Sequence, residues 1–163
     1  MRRSARRAGI SLAIALTAVA LMAGTALAAL TFHSGPSVSF NGSTATATAN
    51  ISGLGNTPAQ AQLFVDGTAL YTCTNKGGNS APGQNPQPAT GASPVQDIGA
   101  TDKNGRATVN VTATLTAPQT IPAKTAGCPG NNWTANLSSL TVTSATLVIT
   151  QGGEVIYSQT FTP

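Results

Sequence analysis

The stretch "STATATANIS", residues 43–52, alternates without a break: Ala45, Ala47, Ala49 and Ile51 share one parity, and Thr44, Thr46, Thr48 and Asn50 share the other. Successive side chains of an extended chain point to opposite faces, so this pattern predicts a strand with one face on a core and one hydroxylated face in water. A helix would scatter the same residues around its axis. The inward side chains are small, which predicts close approach of the layer that covers them.

Working outward, the same period of two recurs in "ATVNVTATLT", residues 107–116. Here Ala107, Val109, Val111, Ala113 and Leu115 face inward, and Thr108, Asn110, Thr112, Thr114 and Thr116 face out. "GLGNTP" (53–58) punctuates the chain after the first strand. In "AQLFVDGTALYTC" (61–73) two apolar runs flank Asp66-Gly67, the short-range signal for a two-residue hairpin turn, which makes Asp66 a turn residue rather than a catalytic acid. A further turn is expected at Lys103-Asn104-Gly105. In "LSSLTVTSATLVIT" (137–150) the apolar phase slips between Val142 and Ala145, which predicts a β-bulge or bend. "QGGEVIYSQTFT" (151–162) reads as a turn at Gly152-Gly153 and a closing strand with Val155, Tyr157 and Phe161 on one face. No segment after residue 28 has helical periodicity. The sum is an all-β chain of about seven or eight strands, for which an immunoglobulin-like antiparallel β-sandwich is the favoured architecture; a jelly roll or small barrel satisfies the same spacing.

The segment Thr101-Asp102-Lys103-Asn104-Gly105-Arg106-Ala107-Thr108-Val109 resembles the "TDxNGxAtV" strand-turn-strand element of bacterial immunoglobulin-like domains of surface adhesins. The resemblance covers about nine residues. It implies a sandwich fold and an adhesin-like, non-enzymatic role at the cell exterior. In its general composition the chain also resembles small secreted bacterial proteins.

At the start, Arg2, Arg3, Arg6 and Arg7 precede an uncharged apolar run that ends in Ala26-Leu27-Ala28. A basic segment, an apolar run short of a membrane span and small residues at the end form the layout of a secretory signal peptide, with cleavage expected after Ala28. Residues 29–163 then form one domain. Four of the chain's eight Lys and Arg residues lie before that cut, leaving four cations against Asp66, Asp97, Asp102 and Glu154 and a net charge of zero. A nucleic-acid binder needs a basic stripe to neutralise phosphates, and an anionic-membrane binder needs a basic cluster; neither is expected, so no membrane contact is expected after signal cleavage.

Cys73 and Cys128 are the only cysteines. In an exported chain they are expected to form one disulfide. Cys73 opens a run of Gly, Asn, Gln and Pro extending to about Pro94, read as a long loop without strands, and Cys128 lies in similar company. The bridge would staple the root of the first irregular segment to the second at one end of the sandwich, where such domains present binding loops. Asn75, Asn79, Gln84 and Asn85 are the candidate hydrogen-bonding groups for a cell-surface glycan or protein. Trp133 is a candidate stacking residue, with packing on the core or disulfide as its alternative.

Catalytic constellations find little support. The single histidine, His33, stands beside Ser34 near the start of the domain without the context of a nucleophile elbow. The few carboxylates show no local pairing for glycoside hydrolysis. Asp102, Asn104 and Gly105 lack the downstream Glu of a calcium loop. No metal or cofactor is expected. Thr ranks on the outward faces could form a flat hydroxyl array, but Thr also suits any wet strand face. The expectation is a secreted, non-enzymatic binding or structural module, with a secreted enzyme or inhibitor acting through its long loops as the alternative. Near-zero charge and strand edges leave room for self-association.

Overall fold

The computed structural model describes residues 30–54, 57–99 and 106–163. The expected signal peptide and the turn at 103–105 lie outside the described residues. Two antiparallel sheets pack face to face. In chain order the elements are β1 (Thr31–Asn41), β2 (Thr44–Ser52), β3 (Ala59–Asn75), β4 (Ser80–Pro82), β5 (Gln87–Ala92), β6 (Gln96–Ile98), β7 (Ala107–Thr114), β8 (Thr120–Ile121), α1 (Ala123–Ala126), β9 (Trp133–Gln151) and β10 (Glu154–Phe161). One sheet has the order β1-β2-β7; the other runs β10-β9-β3, with β4, β5 and β6 successively along the far side of β3 and β8 on β9. First-second-fifth facing seventh-sixth-third, in terms of the long strands plus β5 as an added edge, is the order of an immunoglobulin-like sandwich.

The core follows the parity read from the sequence. Ala45, Ala47, Ala49 and Ile51 of β2 and Ala107, Val109, Val111, Ala113 and Leu115 of and after β7 are all buried. They face larger residues of the other sheet, among them Leu63, Val65, Leu147 and Ile149. Small side chains on one sheet opposite large ones on the other fill the space between layers at constant thickness.

The Asp66-Gly67 hairpin does not form. β3 runs straight through both residues, pairing Gly67 with Val142 on one side and Ala89 on the other. Gly67 is required for close approach: an added Cβ would meet the Thr141 carbonyl oxygen and lie 2.5 Å from Leu115 Cδ1. Gly91 on β5 has a similar role, since its Cβ would collide with the Thr114 carbonyl. The end of β7 crosses this track onto the larger sheet, where Thr116 N donates to Thr90 O at 2.9 Å. The glycine beside Asp66 thus reports a crossing rather than a reversal.

Strand β9 bulges twice. Asp66 pairs with Ser144 and Gly67 with Val142, leaving Thr143 extra, as the slip between Val142 and Ala145 predicted. Leu70 pairs with Ser139 and Tyr71 with Leu137, so Ser138 is a second bulge. Each bulge reverses the inward parity, so Ala135 and Ala145 point to the same core. The turn at Gly152-Gly153 forms, both residues having positive φ (60° and 88°). The closing strand differs from its expected face: the register slips between Val155 and Tyr157, leaving Val155 59% exposed while Tyr157 and Phe161 are partly buried.

Candidate functional site

The stapled end is built from both irregular segments. Cys73 of β3 and Cys128 after α1 form a disulfide with a Cα–Cα distance of 5.7 Å. The run after Cys73 is not strandless: β4 folds back onto β3 through the turn at 76–79, and β5 pairs with Phe64–Ala69. Its Gly, Asn and Pro content marks short connections between strands. Asn75 shapes the turn, its side-chain oxygen accepting from Gly77 N (2.9 Å) and Asn79 N (3.0 Å).

Residues 83–87 then lie against α1. Asn85 N donates to Ala126 O at 3.0 Å, and its side-chain amide donates to Thr125 O at 3.3 Å. Gln84 donates to Pro82 O at 3.1 Å. Gly127, with φ of 68°, has no Cβ to strike Asn85. Trp133 is half-buried at the start of β9, paired with Asn75 and packed beside Gly130. The fold gathers these five residues at one end. Asn75, Gln84 and Asn85 use polar atoms to hold the loops in place, Trp133 packs on the core edge, and Asn79 leaves its side chain exposed.

A second polar surface lies on the outer face of the three-stranded sheet. Register brings Ser34, Asn50 and Thr108 into one row, Ser37, Thr48 and Asn110 into the next, and Ser39, Thr46 and Thr112 into a third. Strand β1 loses register with β2 between Phe32 and Ser34 and again between Ser34 and Ser37. Beside this irregularity are two adjoining depressions. One, of about 220 Å³, is lined by residues that include Ser34, Ser37, Thr48, Asn50, Thr108 and Asn110. The other, of about 310 Å³, adds His33 and Arg106 and shares Asn50 and Thr108 with the first.

Asn50 organises the row. Thr108 Oγ1 donates to Asn50 Oδ1 at 3.0 Å, and Asn50 Nδ2 donates to Ser34 Oγ at 2.7 Å. This directional chain leaves Asn50 with one amide hydrogen and one carbonyl lone pair, and leaves the Ser34 hydroxyl hydrogen available as a donor. Paired donor and acceptor on one planar amide match adjacent hydroxyls of a polyol. His33 does not act on Ser34; its Nε2 is 2.7 Å from Ser52 Oγ. Among the described residues no carboxylate lines either depression. Sequence reading identified the outward Thr and Asn positions of β2 and β7 but not this site, because their alignment depends on the register between strands 58 residues apart at Asn50 and Thr108.

Asp66, Asp97 and Glu154 lie apart on β3, β6 and β10, with Asp97 accepting from Gln60 Nε2 at 2.9 Å. Among the described residues no group of three His, Cys, Asp or Glu side chains could hold a metal ion. No described helix is long and apolar enough to cross a membrane.

The chain matches no protein-family model, and neither a curated protein nor a solved structure is significantly similar to it.

Proposed function

We propose that this protein is a secreted, non-enzymatic binding module of the bacterial cell exterior, an adhesin-like domain that holds a neutral glycan on the outer face of its three-stranded sheet. The observation that carries this reading is the Ser34-Asn50-Thr108 hydrogen-bonded row across two adjoining depressions. Neutral hydroxyls and amides that already orient one another lose little entropy on engaging a polyol. The absence of an aromatic platform on this face makes each contact weak, which suits a ligand repeated along a polymer. The disulfide supports an oxidising destination, and the basic and apolar start of the chain supports export. The stapled end serves as the rigid closure of the sandwich, with the Asn79 side chain among those exposed on it.

The test is a titration of the isotopically labelled protein with a panel of neutral and anionic oligosaccharides, read by amide chemical shifts. Neutral sugars are expected to perturb His33, Ser34, Asn50 and Thr108 saturably. Asn50→Ala removes two ligand hydrogen bonds worth about 1 kcal/mol each and should weaken binding at least about tenfold. Shifts confined to residues 75–85, or an Asn50→Ala variant that binds as wild type, would remove the site from this face.

A further inference from the structure

The two sheets end on the same flank in β1 and β10. Phe32 of β1 and Tyr157 of β10 touch across it, with ring centroids 4.8 Å apart, yet the two strands belong to different sheets and do not pair. Each therefore has one edge without a β partner among the described residues. Elsewhere, edges are managed. The outer edge of β7 is capped by Gln96, whose side chain accepts from Asn110 N at 2.9 Å and donates to Thr108 O at 3.0 Å, standing in for the peptide of a neighbouring strand. On β9, between β8 and β10, the Val142 N–H is taken by Gly42 O at 2.9 Å.

The open flank also holds an unusual share of the aromatic side chains. Phe32, Phe40, Tyr157 and Phe161 all lie on these two strands and are only partly buried, as is Ile156. Aromatic rings left half-covered beside unpaired backbone form the composition of an interface core. The usual safeguards are uneven. β1 carries Pro36, which has no N–H to offer, and two breaks in register. β10 has no Pro, Lys or Arg, and from Tyr157 to Phe161 it is regular.

We propose that β10 pairs antiparallel with β10 of a second copy of this chain, extending the larger sheet across a two-fold axis near Ser158. An unpaired strand edge is satisfied by an extended polypeptide, and an antiparallel pairing of identical strands is self-complementary, so it closes as a dimer rather than growing. The only formal charge on β10 is Glu154 at its start, away from the axis, so like charges do not meet there. Eight residues span about 27 Å. With two sheets and their outer side chains about 20 Å deep, the flank offers roughly 500 Å² per copy, below the ~800 Å² of standard interfaces, which predicts a weak, concentration-dependent dimer.

Sedimentation velocity of the secreted protein over a concentration series tests this. The wild type is expected to pass from monomer to dimer. Ser158 is exposed, so Ser158→Lys and Ser158→Glu leave the fold intact, as their circular dichroism would verify. Each alone should raise the dissociation constant at least about tenfold by placing like charges across the axis, and an equimolar mixture of the two should restore association. Thr112→Lys, on the outer face of the other sheet, should change nothing. A wild type that stays monomeric to about 1 mM, variants that dimerise as wild type, or a mixture that fails to recover would each overturn the proposal.

Discussion

Substituting Gly67→Ala distinguishes a glycine kept for close approach from one kept for a turn. Gly67 does not have positive φ, so alanine is tolerated by the backbone there, and restricting the unfolded chain would by itself stabilise by about 0.4–1 kcal/mol. Against this stands overpacking. The new methyl would meet the Thr141 carbonyl oxygen and lie 2.5 Å from Leu115 Cδ1. One neighbour is backbone in the adjacent strand, locked by the bulge at Thr143, and the other is a fully buried Leu in the facing sheet, so neither yields easily. Overpacking costs about 1–3 kcal/mol, and rigid neighbours place this case at the upper end. The net expectation is a loss of about 2 kcal/mol, or a fall in melting temperature of roughly 8 °C for a domain of this size. Urea and thermal unfolding of both proteins measure it. Gly99→Ala is the control: no atom of the described residues lies within 4 Å of its added Cβ and its φ is not positive, so a change within about ±0.5 kcal/mol is expected. If Gly67→Ala unfolds within about 0.5 kcal/mol of wild type, the crossing of β7 does not depend on this glycine.

Two further outcomes follow from the staple and the open flank. Cys73 and Cys128 are 55 residues apart, so replacing both with Ser should cost about 4 kcal/mol by loop-closure entropy. Hydrogen exchange should show residues 83–87 and 123–127 losing protection before the strands, and a loss below about 1 kcal/mol would contradict that account. Tyr157 has its pKa raised from the ordinary 10.0 by desolvation on burial, and its hydroxyl donates to Gln159. The unfolded chain then ionises first, so this residue's contribution is intact below about pH 10 and falls as pH rises through the raised value. Unfolding midpoints measured from pH 8 to 11.5 should decline more steeply for the wild type than for Tyr157→Phe, and parallel profiles would exclude Tyr157 as the cause.

Much of the fold was legible because side-chain parity is a local property. The Ala ranks of β2 and the Val and Ala ranks of β7 could face only a core, and the slip after Val142 called for a bulge or a bend, of which the strand forms the bulge. Two of the errors share one cause, which is that Gly serves several physical needs; the other, the face of β10, comes from the register slip between Val155 and Tyr157. Beside Asp66 the glycine permitted a crossing, and at Gly77 and Gly78 it permitted a tight reversal that returns β4 to β3. Sequence gives the residue; only the neighbour in space tells which need applies. The bulge at Ser138 was equally available in the change of apolar parity from Leu137 to Leu140, but each of the two bulges adds one residue to β9, so the segments that flank the pair keep one parity and hide it. The polar row through Asn50 was beyond reach, because it depends on how three strands align, and nothing in any one of them fixes that.

The two proposed surfaces combine through geometry. A two-fold axis relating adjacent antiparallel strands stands perpendicular to their sheet, so both copies present the same side of the extended sheet. The three-stranded sheet packs on one side of it, and its outer face, with the Asn50 row, would therefore point in the same direction in both copies. A ligand-binding face without aromatic stacking gains little from one contact, but two such faces oriented alike would engage neighbouring repeats of one polymer at a high effective concentration. The weakness expected of each interface is then consistent with its use: the dimer need form only where the chain is concentrated, which is the condition that a repetitive surface ligand creates. Neither surface requires the other, since the row lies on a sheet face and the pairing edge on the flank, so a Ser158 variant leaves the glycan contacts of a single copy intact and an Asn50 variant leaves the edge intact.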